Sequence, residues 1–404
     1  MAETNPDHLL RVLIMIAGLD IGGAHGGAER FGLELSRNLD KDKFDITLCA
    51  FWKFASEAES YWLKKLAKEH VPVIFPGEWK GRFNLREYFL AVQRLSHLYQ
   101  SEPLDIIHSH FQMGTFAAIL LKFLSRTIVA MRTAHVSLEW GRGFPSWVCR
   151  QVFTNWLYPI FLDQEAGVSQ AVVDKLSRHP GEMIAQKDPV LVHNAIYPDI
   201  FETRQQPLSH HPLLENAKGK TIVGSIGRLT KQKGYEYLLE AMPLVIAQIP
   251  DIYLVIIGDG ELRNELQARV NRLGISEHVL FTGQRDDAIS LLRHMKIFIL
   301  PSIYEGLPTV ILESMACGVP VLATDIPGTD ELIQDGENGW LVPPRRPEAI
   351  ANMLIKLLQN QNLRSKSASR AYKTVENFRI ESVAEQYQLL YRKLIARGSP
   401  FQGN

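Results

Sequence analysis

Three cysteines in 404 residues, Cys49, Cys149 and Cys317, are too few and too scattered to form a framework. They lie in apolar surroundings (TLCAF, WVCR, MACGV), no CxxC pair occurs, and the odd count argues against disulfides, so reduced, packed thiols are expected. No long run of one charge sign is present. Lys+Arg and Asp+Glu balance at 44 each, which removes the electrostatic footprint of a nucleic-acid partner. The early apolar run in MAETNPDHLLRVLIMIAG is too short to span a bilayer and follows no basic leader. It is expected as a buried first strand, in a cytoplasmic protein. No low-complexity tract or short-period repeat occurs.

What is present is globular: 46% hydrophobic and 22% charged residues, in a chain long enough for two domains of roughly 150–200 residues. Short apolar runs (RVLIMIAG, FDITLCAF, VPVIF, LDIIHSH, TIVAMRTA, EAGVSQ) alternate with amphipathic stretches such as GAERFGLELSRNL. Strands apolar on both faces that alternate with helices predict a parallel α/β sheet. After the polar, proline-bearing stretch ETRQQPLSHHPLLENAKGK, which reads as a linker, the pattern restarts with KTIVGSIGR, IYLVIIGDG, HVLFTGQ, KIFILPS, VPVLATD and GENGWLVPP. Two doubly wound, Rossmann-like domains facing each other across a cleft are expected, over residues 1–200 and 201–378. A C-terminal helix in 379–404 is expected to brace the first. Ligands of such sheets bind beyond the carboxyl ends of the strands.

The motifs at those ends carry the chemistry. AGLDIGGAHGGAERF lacks the GxGxxG spacing. Gly22 and Gly27 mimic GxxxxG, but Ala28 and Glu29 stand where Lys-Ser/Thr should, so a P-loop is rejected. The loop either turns its backbone N–H groups toward a phosphate or is a plain turn. In GSIGRLTKQKG, Arg228 and Lys233 follow a strand end, and either grip a diphosphate or form a solvated basic loop. In YEGLPTVILESMACGVP, Pro308 suits a first helical turn and the N–H groups of Gly306, Leu307 and Thr309 are candidates for an anion. Glu313 lies about 7 Å further along the helix, placed to accept hydrogen bonds from a vicinal diol, and Glu305 is placed for another polyhydroxy group. Buried carboxylates without partners would be costly, which favours a ligand. The acid pairs DKD at Asp40 to Asp42 and DGE at Asp259 to Glu261 fit a helix-to-strand turn and a helix start better than a metal site. His108, His110 and His135 end strands on the ligand side, with no zinc spacing and no Ser/His/Asp arrangement.

At these residues the chain resembles the family-4 glycosyltransferases, retaining enzymes of GT-B fold that use sugar nucleotides. The matching pieces are GGAERF, GRLTKQKG, IIGDGELR, VLFTGQ and PSIYEGLPTVILESMACGVPVLATDIPGTDELI. The resemblance implies that Glu313 binds the ribose, and that Glu305 with the amides from Gly306 through Leu307 and Pro308 to Thr309 holds the sugar and diphosphate. It implies that Arg228 and Lys233 stabilise the departing diphosphate and that Gly27 lets the first loop approach the phosphates. It also puts His135 near the reacting centre, Arg285 near the base, and Glu29 with His110 on the acceptor side. No metal or other cofactor is implied. The implied reaction moves a hexose-type sugar from a UDP- or GDP-sugar to a glycan, lipid-linked or small-molecule acceptor, in cell-envelope or polysaccharide synthesis. A sugar-nucleotide epimerase or hydrolase, and a non-catalytic nucleotide-sugar-binding protein, remain as alternatives. The chain departs from the family at Ala195, Tyr197 and Pro327, which touches turn shape more than chemistry. The aromatic-basic stretches SLEWGRGFPSWVCRQVFTNWLYPIF and FPGEWKGRFNLREY read either as a peripheral membrane face or as packed helices.

Overall fold

The computed structural model of the protein describes residues 9–21, 27–124, 129–135, 148, 150–208 and 211–397. They divide into two units: the residues up to Asn194 together with those from Ile380 onward, and Ala195–Arg379. The sequence placed the boundaries at residues 200 and 378. The polar stretch expected as a linker belongs to structured elements, the helix Pro198–Gln205 and the 3-10 turn Pro212–Ala217. A proline opens each, where its missing N–H costs no hydrogen bond.

In the first unit seven strands run in the order Val73–Ile74, Phe44–Ala50, Leu10–Ile16, Ile106–Ser109, Val129–Ala134, Gln164–Gly167, Val190–Leu191. All pairs are parallel. Leu10–Ile16 lies inside this sheet, and Val12 to Ile16 are fully buried. Each such side chain contributes about 1.5–3 kcal/mol through its burial. From this strand the chain runs to one edge, then returns to Ile106–Ser109 on the other side. The winding therefore reverses between Leu10–Ile16 and Ile106–Ser109. The edge strand Val190–Leu191 and the ribbon of Trp52–Lys53 with Gly77–Glu78 are too short for a hydrophobic period to announce them.

The second unit repeats the plan with six parallel strands in the order Val279–Gly283, Ile252–Ile257, Thr221–Ile226, Ile297–Leu300, Val321–Thr324, Trp340–Val342. Its winding reverses between Thr221–Ile226 and Ile297–Leu300. Leu238, Leu239 and Met242 of the helix Tyr235–Gln248 pack with Val223, Leu254 and Ile299 of the sheet. Of the cysteines, Cys49 is buried and free, and Cys317 is half-buried and free. Cys149 lies outside the described residues. Among the described residues no helix is long and apolar enough to cross a membrane.

The first unit also buries charge. Arg132 and Glu165, on neighbouring strands and each 2% exposed, form an ion pair, and the Arg132 guanidinium lies 4.7 Å over the Tyr158 ring. Glu182, on the helix Pro180–Ala185, is buried beside them. Burial first, and then its hydrogen bond to Glu165, raise the Glu182 carboxyl above its ordinary value of 4.5. The folded chain keeps a proton that the unfolded chain releases above about pH 4.5. The stability this provides is present below that pH and is lost as pH rises toward the folded-state value. Glu182→Gln keeps a donor for Glu165 and removes the titration. Its thermal midpoint should exceed wild type at pH 8 by several degrees and vary less between pH 5 and 8, measured by scanning fluorimetry; parallel curves would contradict the raised Glu182 carboxyl.

Candidate functional site

In the second unit the loops on either side of the winding reversal carry most of the polar residues singled out in the sequence. After Thr221–Ile226 come Gly227 and Arg228, then the 3-10 turn Lys231–Lys233. Gly234 follows at φ +61°, and a Cβ there would lie 2.2 Å from the Pro301 carbonyl oxygen, so only glycine fits. That close approach brings Lys233 against the loop that follows Ile297–Leu300. Lys233 Nζ lies 2.6 Å from Glu305 Oε1, with side chains 16% and 8% exposed. Ser302 Oγ donates to the same oxygen at 2.6 Å, and Gln232 Nε2 donates to Glu305 Oε2 at 3.3 Å and to the Tyr304 carbonyl at 3.0 Å. The Ile303 N–H donates to the Gln232 carbonyl at 2.8 Å, closing the two loops on each other. Arg228, in the same loop as Gln232 and Lys233, is exposed, with no side-chain hydrogen bond or ion pair among the described residues.

The chain then passes through buried Gly306 and Leu307 into the helix Thr309–Ala316. Pro308 is the residue before the helix rather than part of its first turn, and no side chain caps the helix start. The first N–H groups and the positive end of the helix dipole lie at that start. Glu313 is half-buried one turn before the helix end, and the Cys317 N–H donates to its carbonyl at 3.0 Å. Burial and the nearby Glu313 charge push the Cys317 thiol up to about 12, which leaves it unreactive. Pro327 stands where a glycine was expected, and the requirement falls one residue later. Gly328, at φ +91°, would place a Cβ 2.1 Å from the Gly306 carbonyl oxygen.

Arg285 is not part of this group. It follows the edge strand Val279–Gly283, two strands or about 10 Å across the sheet from Thr221–Ile226. Its guanidinium binds Asp287 bidentately at 2.8 and 2.7 Å. That pairing, and then His211, hold the Asp287 carboxyl down at about 2. Asp259 accepts from the Gly260 N–H and from Arg263, which accounts for it locally. Asp40 likewise pairs with Lys43. Among the described residues no three His, Cys, Asp or Glu side chains are grouped to hold a metal ion.

In the first unit the three histidines converge. His110 Nδ1 lies 3.1 Å from His135 Nε2, and the His108 and His110 rings are 4.2 Å apart. Phe31, from the helix Gly27–Asn38, packs against His110 and His135 at 5.5 and 5.3 Å. Burial lowers all three imidazoles, His108 to about 3 and His135 to about 4, so the group is neutral at pH 7. His108 Nδ1 pairs with the Tyr391 hydroxyl at 2.7 Å and His108 Nε2 with Thr133 Oγ1 at 2.8 Å. The Asn194 side chain hydrogen-bonds His135. Gly27 is exposed and opens the helix, with nothing within 4 Å of an added Cβ, and Glu29 sits half-buried in its first turn with a carboxyl raised by burial. The other loop glycine, Gly22, lies outside the described residues. So do residues 136–147 and 149 of the aromatic stretch; within its described part, Val152 and Trp156 are exposed. Sequence reasoning missed Gln232, Ser302, Asn194, Tyr387 and Tyr391. Ser302, three residues before Glu305, and Gln232, next to Lys233, are polar residues at strand ends, and that was the available signal.

Two parallel, doubly wound α/β units in one chain are the plan of the GT-B glycosyltransferase fold. Across 95% of the chain the structure superposes on the whole of Anabaena HepE in complex with UDP and glucose, with a TM-score of 0.74 at 20% identity. The model described as "Glycosyl transferases group 1" matches residues 209–374, and the one described as "Glycosyltransferase Family 4" matches 25–200. The chain belongs to glycosyltransferase family 4. It is 36% identical to the lipopolysaccharide core biosynthesis glycosyltransferase LpsE of Rhizobium meliloti over 45% of this chain and 52% of that one. It is 30% identical to the phosphatidyl-myo-inositol mannosyltransferase of Mycobacterium tuberculosis over 74% of this chain and 76% of that one. The matched region thus spans about half of the first relative and three quarters of the second.

The Lys233–Glu305 pair is measurable apart from any activity. A double-mutant cycle with Lys233→Met and Glu305→Gln in urea should give a coupling of roughly 1–3 kcal/mol, the range for contacting residues in one network. A coupling indistinguishable from zero would mean the two loops are held by something else.

Proposed function

We propose that the chain transfers a hexose-type sugar, with retention, from a UDP- or GDP-sugar to a glycan or lipid-linked acceptor, without a metal ion. The observation that carries this reading is the Lys233–Glu305 pair beside exposed Arg228 and the uncapped start of Thr309–Ala316. Breaking a sugar–diphosphate bond leaves negative charge on the diphosphate, and fixed cations and helix-end N–H groups lower the cost of that charge. Here Arg228 and Lys233 take the diphosphate, the N–H groups of Gly306, Leu307 and Thr309 assist them, and Glu313 takes the ribose hydroxyls. Glu305 accepts from Lys233, Ser302 and Gln232. A carboxylate held this way is a poor nucleophile, which favours same-face transfer. The sugar–phosphate bond breaks, the acceptor oxygen bonds the same face of the anomeric carbon, and its proton passes to an oxygen of the leaving diphosphate. His135 orients and polarises the reacting groups.

A lipid-linked acceptor suits the first unit's surface. Lys80, Arg82, Phe83, Leu85, Arg86 and Phe89 are exposed in one short stretch, with Leu85 and Phe89 one turn apart on the helix Leu85–Leu98. Basic and apolar side chains together favour an anionic bilayer surface. The names of the two curated relatives, one in lipopolysaccharide core synthesis and one acting on phosphatidyl-myo-inositol, support the same class of acceptor.

The test is a thermal-shift screen of nucleotide sugars, followed by transfer assays with the stabilising donor. Lys233→Ala and Glu305→Ala should each lower kcat/KM at least about 100-fold in a folded protein. NMR of the product should give the anomer of the donor, and EDTA should leave the rate within about twofold. Wild-type rates in either variant, or an inverted product, would overturn the reading.

A further inference from the structure

The chain passes between its two units twice; the histidine group of the first unit is bonded to the residue at the first passage and to the helix that follows the second. Asn194 is the last residue of the first unit before the first passage and is buried. Its side chain hydrogen-bonds the His135 imidazole. The helix Ile380–Arg397 begins at the second passage. Its Tyr391 pairs with His108 at 2.7 Å and its Tyr387 with Thr133 at 2.8 Å. Within the second unit the two passages are stitched together. The Ile196 N–H donates to the Phe378 carbonyl at 2.7 Å, and Ile196 pairs with Arg379 in an isolated parallel bridge.

We infer that Asn194 is a positioning residue for His135, tying the orientation of that imidazole to the chain passage between the units. This rests on the reading of the chain as a sugar transferase. A neutral imidazole has one N–H and one lone pair, and its tautomer follows from what each edge meets. His110 Nδ1 stands 3.1 Å from His135 Nε2, and Phe31 closes on the ring edge-on at 5.3 Å. With Asn194 also bonded to it, the ring is held in place by its neighbours. Without Asn194 the ring keeps its packing but loses one of the contacts that fix its tautomer. Asn194 is buried and bonded to His135, so its substitution acts through that imidazole and is read in kcat.

The test compares wild type, Asn194→Ala and Asn194→Asp in steady-state transfer with the donor found by thermal shift. Asn194→Ala should lower kcat about tenfold, which corresponds to about 1.4 kcal/mol, with the donor KM within about twofold. Asn194→Asp keeps an acceptor oxygen and should recover kcat to within about threefold of wild type at pH 8. Its negative charge favours protonated His135, so its kcat should fall as pH drops from 7 to 5, while wild type stays flat there. The groups facing His135 are His110 and His108 from the neighbouring strand end and Phe31 from the helix Gly27–Asn38, with Tyr387 behind Phe31. Burial keeps both histidines neutral across that range. Wild-type kcat in Asn194→Ala, or an Asn194→Asp profile parallel to wild type, would overturn the proposal. If Asn194→Ala fails to fold, the Asn194→Asp profile decides. A wild-type chain that transfers no sugar would instead overturn the reading of function, and this inference with it.

Discussion

One ion pair, Lys233 with Glu305, fastens the second unit where its own topology leaves it open. At a winding reversal, neighbouring strands send their connections in opposite directions, so no backbone ladder joins the loops beyond their carboxyl ends. There the chain has Gly234 pressed on the Pro301 carbonyl, the Ile303 N–H on Gln232, and the buried pair between them. Burying two charges is costly, and a pair this enclosed offsets the cost only when hydrogen bonds satisfy the remaining atoms. Ser302 and Gln232 supply those bonds to the carboxylate. The gain is geometric more than energetic: an ammonium held at a fixed point beside the start of a helix.

This arrangement explains which parts of the site could be read in advance. The placement of Glu305, Glu313, Arg228 and Lys233 beyond strand ends was legible because they lie in short stretches whose strand, loop and helix parts follow from local pattern. Most strands were legible for the same reason, since runs such as IYLVIIGDG and KIFILPS are apolar on both faces. The separation of Arg285 from Lys233 and Glu305 was not legible, because it depends on sheet order. Spacing does not say that Val279–Gly283 is an edge strand, and the Asp287 pairing is joined by His211 from 76 residues earlier in the chain. The glycine at 328 rather than 327 was invisible too, because only the approach of the Gly306 carbonyl creates the need. Tyr387 and Tyr391 lie in the terminal helix, where nothing in the local pattern marks them. Their hydroxyls matter only once that helix meets His108 and Thr133, more than 250 residues away in sequence.

The two units solve the same problem with opposite electrostatics. Both set polar side chains at the ends of parallel strands, where buried apolar sheet meets loops. The second unit keeps its groups charged, with an enclosed ion pair and an exposed guanidinium. The first unit strips charge away: burial leaves His108, His110 and His135 neutral and links them by hydrogen bonds to two tyrosines, a threonine and an asparagine. Charged groups suit a diphosphate, whose own charge changes during transfer. Neutral donors and acceptors suit sugar hydroxyls, which stay neutral until a proton leaves.

That division bears on where the proton goes in the proposed transfer. Protonating His135 at neutral pH would mean charging a buried ring whose value is near 4 and whose neighbours are two more imidazoles. A general base of that kind would be weak, because the environment that holds it neutral also opposes its conjugate acid. The leaving diphosphate has no such handicap, since it gains negative charge as the bond breaks and has Lys233 and Arg228 to steady it. In the proposed transfer, the neutral histidine group would therefore aim hydroxyls and the charged group would take what the broken bond leaves behind.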